Sequence, residues 1–283
     1  MPGIDLHAHT TASDGSLTPT ELVALALEVG LHALAVTDHD TVDGLAEATD
    51  AANPTGIELV PGIELAVTYP SGRFHMLGYF IQPDNPTLCG RLQLLKDNRA
   101  NRNIRIVEKL NALGIDITLE DIIAESGGGQ VGRPHMAAAL IKKGVVRSFQ
   151  EAFDKYIADG ALAHVPKDKI SLEEGISLIH AAGGLAVMAH PSSLKLDDES
   201  LAAELPRLKE LGLDGIECYY SQHEPERTIW LLEQTGRAGL LVTGGSDFHG
   251  TPKPHVQLGV VHEGGPAPYS ILEEMKRRLN TEE

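Results

Sequence analysis

Short apolar runs alternate with helix-forming segments along most of this chain, and nearly every run ends in a histidine or a carboxylate. "GIDLHAH" leads into "TPTELVALALEVG", and "HALAVTDH" leads into "TVDGLAEATDAA". The strand region "GIELVPGIELAVTYPSGRFHMLGYF" follows, with a turn at Pro70-Ser71-Gly72. After an interruption the pattern resumes as helix "SLEEGISLIHAAG", strand "LAVMAHP", helix "SLAAELPRLKELG" and strand "GIECYY". Helix "EPERTIWLLEQTGRAG", strand "LLVTGGSDFHG" and helix "PYSILEEMKRRLN" complete it. Such alternation predicts parallel strands with right-handed crossovers, hence an α/β barrel or a doubly wound sheet. The first helix carries its own start signal. Thr18 stands at the N-cap, Pro19 at the first helical position, and Glu21 completes a capping box.

The interruption runs from about Pro86 to Lys169 and is helical throughout, with no strand in it. The expected organisation is therefore a barrel built from 1–85 and 170–283, with 86–169 as an inserted helical subdomain. A chain of 283 residues suits one α/β barrel with such an insertion. Aromatic residues make up only 4%, so Leu, Val, Ile and Ala must fill the core. No repeat or low-complexity linker is present.

A formal net charge of −17 argues against a broad surface for double-stranded DNA or an anionic membrane. It leaves room for a small anionic substrate, because bound divalent cations invert the charge inside a pocket. Cys89 and Cys218 have neither metal-site spacing nor a disulfide framework. No basic-then-apolar leader opens the chain, cleavage there would discard His7 and His9, and no apolar run is long enough for a membrane span. The expected location is cytoplasmic.

The strand ends carry the chemistry. His7 and His9, two residues apart on a strand, share a face. The second strand ends in His39, the third reaches Glu64, and the return strand holds His75. Later strands end in His190 and in Asp247 with His249. In a parallel barrel all C-terminal strand ends lie on one face, where active sites are built. So many desolvated imidazoles and carboxylates without partners would be costly, which makes a metal site the expected arrangement. Nitrogen and oxygen donors without thiolate suit manganese, iron or zinc. With Asp14 added, the donors suffice for two or three divalent ions, and Glu64 is the natural bridge. Asp5 and Asp38 are either acceptors that orient ligand rings or ordinary strand-end turn residues.

The ordered motifs "DLHAHTTASDG", "VTDHDT", "PGIE", "AHP" and "GSDFH" closely resemble those of the polymerase and histidinol phosphatase (PHP) superfamily. The resemblance covers both barrel halves. It implies a distorted (β/α)7 TIM-like barrel with a trinuclear centre. By the resemblance, His7, His9, Glu64 and Asp247 hold one ion, and Glu64, His75 and His190 a second. Asp14, His39 and His249 hold the third. Asp14 stands where many members have histidine, so an oxygen donor makes that site harder and weaker. Manganese is the first expectation for the metal, with Fe²⁺ or Zn²⁺ as alternatives, and Glu64, Asp247 and His249 are the expected catalytic positions.

Two ions about 3.5–4 Å apart can activate a shared water and clamp an in-line displacement at phosphorus, so phosphoester hydrolysis by metal-bound hydroxide is expected. No nucleophile elbow, Walker loop or dinucleotide fingerprint competes, and "SGGGQVG" (126–132) lacks the following Lys-Ser/Thr. In the insertion, "VGRPHMAAAL" places Arg133 and His135 at a helix start, where the dipole favours an anion. "HVPK" adds Lys167. Arg-x-His followed by Val-Pro-Lys resembles the PHP branch that removes the 3′-phosphate of nucleoside 3′,5′-bisphosphates, some of whose members act as 5′→3′ exoribonucleases on short RNA. Ser221 and His223, after the "GIECYY" strand, are further candidates for substrate contact. Arg99, Arg102, Arg105 and Lys109 share one helix face, which is read as solvated. The alternative readings are a phosphatase for another small ester such as histidinol phosphate, a metal-dependent amidohydrolase, and, last, a metal-stabilised binding module.

Overall fold

The computed structural model describes residues 3–126, 131–166, 168–261 and 264–281. Lys167 and most of the glycine run after Ser126 lie outside the described residues. The chain forms two compact units, Met1–Gly90 with Lys169–Glu283, and Arg91–Asp168.

Nine strands among the described residues make one sheet. They are β1 (Gly3–Asp5), β2 (Leu31–Val36), β3 (Glu58–Thr68), β4 (Phe74–Tyr79), β5 (Ile170–Ser171), β6 (Leu185–Met188), β7 (Gly215–Tyr220), β8 (Leu241–Gly245) and β9 (Ala267–Pro268). The order is β8-β7-β6-β4-β3-β2-β1-β9, with β5 paired to β3. The ends meet: Leu6 N–H donates to Gly244 O at 3.1 Å, and Ala8 bridges Phe248 in parallel. The expected barrel-like sheet is thus nearly closed, and its interior is filled by Ile4, Leu6, Val60, Leu77, Val187 and their neighbours.

The distortion lies in β4, which runs antiparallel to both β3 and β6. A reversed strand brings its N-terminal end to the face where parallel strands end. That is why His75, near the start of β4, reaches the same rim as His39 and His190. Gly245 lets the seam close, since a Cβ there would fall 2.3 Å from the His7 backbone nitrogen.

The helices are α1 (Pro19–Glu28), α2 (Leu45–Ala52), α3 (Pro86–Ala112), α4 (Leu119–Ile123), α5 (Arg133–Lys142), α6 (Phe149–Ala152), α7 (Leu172–Ala181), α8 (Asp198–Glu210), α9 (Pro225–Ala238) and α10 (Ser270–Thr281). The predicted capping box on α1 is present. Glu21 N–H donates to Thr18 Oγ1 at 3.2 Å, and Thr18 N–H donates to the Glu21 carboxylate at 2.8 Å. The 91–168 unit has a core of its own, including Ile106, Leu110, Met136, Leu140 and Ile157. No helix among the described residues is long and apolar enough to cross a membrane.

Candidate metal centre

The rim where the parallel strands end collects nine side chains, contributed from within or just after six strands. His7 and His9 follow β1, and Asp14 lies on the next turn. His39 follows β2, Glu64 lies within β3 and His75 within β4. His190 follows β6, and Asp247 and His249 follow β8. His7, His9 and Glu64 are fully buried, and Asp247 and His249 nearly so. Asp14 is half-exposed.

Glu64 is the hub. Its Oε1 lies 2.9 Å from His75 Nδ1 and 3.1 Å from His190 Nε2. Its Oε2 lies 3.4 Å from His7 Nε2, 3.2 Å from His9 Nε2 and 3.0 Å from His39 Nδ1. Asp247 Oδ1 faces the same rings, 3.6 Å from His7 Nε2 and 3.3 Å from His9 Nε2. Asp14 Oδ1 sits 3.3 Å from His249 Nε2, and its Oδ2 is 3.9 Å from His39 Nε2.

Four overlapping sets could each hold an ion: His7/Glu64/His190, His7/His9/Asp247, His39/Glu64/His75 and His9/Asp14/His39/His249. The structure therefore brings together all nine residues expected as ligands. Its grouping differs in detail from the one the motifs imply, because His7, His9 and His39 each stand within reach of two sets.

The chemistry of the donors fits bound cations. His7 Nε2, His9 Nε2 and Glu64 Oε2 are buried and make no hydrogen bond. Orphaned buried polar atoms of this kind are rare and costly unless something else satisfies them. Burial alone would raise the Glu64 carboxyl, but His39, His75 and His7 around it hold it well below the usual carboxylate range. Asp247 and Asp14 are likewise held low against burial, by His7 and His9 in one case and His249 and His39 in the other. All three carboxylates are thus ionised at neutral pH. Burial works against charge on His9 too, yet Asp247 and Glu64 raise it to about 9. Around His7 and His9 the pocket favours positive charge, whereas burial lowers His75 and His249, and metal binding would replace protons on the first two.

Backbone strain accompanies the site. Asp40, His190 and Asp247 adopt positive φ, at 53°, 25° and 60°. Non-glycine residues sustain this only where their surroundings over-determine it, and ligand sites are a common place for it.

Asp5 and Asp38 do not orient the ligand rings directly. Asp5 accepts backbone N–H groups from His7, Ser246 and Gly259, which ties the end of β1 to the loops beside it. Asp38 accepts from Thr10 N–H, Thr10 Oγ1 and Ser13 Oγ, and only the Ser13 hydroxyl lies near His9, 3.5 Å from Nδ1. Both carboxylates are short side chains at strand ends, so backbone amides and, for Asp38, the Thr10 and Ser13 hydroxyls are the donors within reach. The ring acceptor that sequence reasoning missed is Glu217, 2.9 Å from His7 Nδ1. Its one visible signal was a lone acid inside the apolar strand "GIECYY".

A cavity of about 350 Å³ opens over Glu64, His75, His190 and Asp247 and is also lined by Arg73, Lys253, Tyr220 and Gln222. Lys253 Nζ lies 2.6 Å from Asp247 Oδ2, and the Tyr220 hydroxyl donates to the same oxygen at 3.0 Å. Ser221 and His223, expected to face substrate, turn elsewhere. Ser221 Oγ donates to Ser246 O at 2.7 Å, and His223 Nδ1 lies 3.1 Å from Cys218 O. Tyr220, the last residue of β7, and Gln222, in the turn that follows, line the cavity, while the Ser221 hydroxyl is held by the Ser246 carbonyl.

In the 91–168 unit, Arg133 opens α5. Its Nη1 pairs with Asp159 Oδ1 at 2.8 Å and reaches Ile157 O at 3.4 Å. His135 Nδ1 accepts the Gly132 N–H at 3.1 Å, capping its own helix. Arg102, bonded to Val165 O, has its pKa lowered to about 10 by burial and by the neighbouring Arg133 and Arg99. This face of α3, read from sequence as solvated, therefore contributes to a basic cluster.

The PHP domain pattern spans residues 5–173 of the chain. The 5′-3′ exoribonuclease Rnm of Escherichia coli is 35% identical over 257 residues, covering 90% of this chain and 87% of that protein. The 3′,5′-nucleoside bisphosphate phosphatase of Chromobacterium violaceum is 31% identical over 280 residues, covering 99% and 98%. The solved structure of a candidate metal-dependent phosphoesterase from Bifidobacterium adolescentis matches with a TM-score of 0.80 at 35% identity, over 98% of this chain and 96% of that one.

Proposed function

Because the chain belongs to the PHP domain family, we propose that it is a metal-dependent phosphoesterase that hydrolyses the 3′-phosphate of nucleoside 3′,5′-bisphosphates. The observation that carries this reading is the convergence of buried, unpartnered His7 Nε2, His9 Nε2 and Glu64 Oε2 beneath a cavity that also presents Arg73 and Lys253. Two or three divalent ions held by His7, His9, Asp14, His39, Glu64, His75, His190, Asp247 and His249 would supply Lewis acidity and an activated water. Manganese is the first choice for a donor set of imidazole and carboxylate, with iron or zinc as alternatives.

The chain's own groups do the rest. Glu64 stays ionised and divides its two oxygens, Oε1 between His75 and His190 and Oε2 among His7, His9 and His39, so it fixes the spacing of these rings. Asp247 stays ionised while Tyr220 and Lys253 donate to its Oδ2, which leaves Oδ1 aimed at His7 and His9. Burial first, then Asp247, raises the Tyr220 hydroxyl, so it remains a donor across the working pH range. Arg73 and Lys253 give the cavity the positive charge that a phosphate requires.

The substrate's second phosphate is assigned to Arg133, supported by His135 and by the charge of Arg102 and Arg99, with Lys167 proposed from sequence alone. Ser221 and His223 support the cavity wall in this reading. The same anchor would serve short 5′-phosphorylated RNA, and the similarity to an exoribonuclease favours that as a second substrate.

Phosphate release in Mn²⁺ should be measured on a 3′,5′-bisphosphate, a 5′-monophosphate, histidinol phosphate, an aryl phosphate and a 5′-phosphorylated oligoribonucleotide. Arg133→Ala should lose a charge-assisted contact of about 1.5–3 kcal/mol, or roughly one to two decades in kcat/KM, on the bisphosphate. The aryl phosphate has no second phosphate to anchor and should be nearly unaffected. Equal losses on the two would refute the anchor and, with it, the bisphosphate assignment.

A further inference from the structure

Glu217 lies on β7, is fully buried, and belongs to none of the four ligand sets found among the described residues. Both its oxygens are nevertheless committed to ligand residues. Oε1 lies 2.9 Å from His7 Nδ1, and Oε2 accepts the backbone N–H of His190 at 2.7 Å. His190 is the ligand residue whose backbone is held at a φ of 25°. One carboxylate thus meets the ring of one candidate ligand and the strained main chain of another.

We infer that Glu217 is a positioning residue that fixes His7 as its Nδ1–H tautomer, so that this imidazole presents a lone pair at Nε2, and clamps the His190 main chain, so that its ring is held at the rim. The inference rests on the metal reading above and goes beyond it. A neutral imidazole carries one N–H, and the hydrogen bond made by one nitrogen decides which form the other takes. An ionised carboxylate can only accept, so it requires the proton on Nδ1. His7 Nε2 is then left as the buried, unpartnered atom that faces Glu64 and Asp247. A carboxylate behind a ligand histidine is a common device for holding ring and tautomer.

The geometry makes a sharp demand, because both positions need an acceptor. Glutamine has nearly the same size but only one acceptor oxygen. If its NH₂ faced His190, two donors would meet. If it faced His7, the ring would have to accept at Nδ1 and carry its proton on Nε2, where a cation is to bind. An isosteric change should therefore damage metal binding although it creates no cavity. Ordinary packing roles do not predict that result.

The test uses Zn²⁺, which is diamagnetic, on the full chain. Glu217→Gln should bind Zn²⁺ roughly 10–100-fold more weakly than wild type in competition with a chromophoric chelator. Circular dichroism of the metal-free proteins should show the same fold for both. In long-range ¹H–¹⁵N spectra of the Zn²⁺-loaded wild type, His7 should carry its proton on Nδ1. A folded Glu217→Gln with unchanged Zn²⁺ affinity would overturn the inference while leaving the metal centre standing. If the variant does not fold, the wild-type spectrum decides, since a His7 protonated on Nε2 overturns the inference by itself. Wild type that takes up no divalent ion would overturn the metal reading, and this inference with it.

Discussion

Glu64 shows how much one side chain determines at this site: its two oxygens reach five histidines, and no other acid among the described residues does so. Asp14 is its opposite, a peripheral oxygen donor whose side chain is 51% exposed and can be removed without opening a core. If the His9/Asp14/His39/His249 set holds an ion that stabilises charge on the transferring phosphoryl group, Asp14→Ala should lower kcat by roughly two decades, as loss of one transition-state donor does, with KM little changed. Elemental analysis of the variant should find one ion fewer per chain. Unchanged kcat at full metal content would remove Asp14 from the ligand list.

At the scale of elements, the site depends on the seam between β8 and β1. Asp247 N–H donates to His7 O at 2.8 Å and His9 N–H to Phe248 O at 2.9 Å, so the two chain segments that carry these candidate ligands are tied through their backbones. Gly245 permits this approach, and any Cβ there would strike the His7 main chain. Gly245→Ala should overpack the seam at a cost of about 1–3 kcal/mol. At roughly 2–4 °C per kcal/mol, Tm should fall by roughly 2–12 °C, with reduced metal content. Calorimetry with metal analysis checks this, and a variant with both quantities intact would show that the seam tolerates more separation than its backbone contacts suggest.

For the whole molecule, the unpartnered atoms at the rim leave the metal-free fold with buried donors and acceptors unsatisfied. Ions that bind only the folded chain should therefore stabilise it, by about 2.7–4.1 kcal/mol at 100 to 1,000 times Kd. Chelation should lower Tm by roughly 5–15 °C, recovered on adding Mn²⁺ or Zn²⁺ but not Na⁺. Thermal scans with and without chelator measure it. A Tm indifferent to chelation would mean that His7, His9 and Glu64 are satisfied in some other way.

The sequence by itself determined what depends on local pattern. Alternating apolar runs and helices dictate a mostly parallel α/β sheet, Thr18-Pro19-Glu21 dictates a helix start, and most residues of the rim stand just after strands because a strand end is a fixed place in a repeating unit. The motifs carrying these residues are short and contiguous, so family membership was legible as well. Only the tertiary structure decided what depends on closure in space. Glu217 meets His7 across 210 residues, Lys253 and Tyr220 converge on one oxygen of Asp247, and Tyr220 rather than Ser221 faces the cavity. Asp5 holds backbone amides, and Asp38 an amide and two hydroxyls, rather than imidazoles for the same reason. A side chain's partner is set by which strands become neighbours and by the direction its Cβ points once they do, and neither is written in the spacing of residues along the chain.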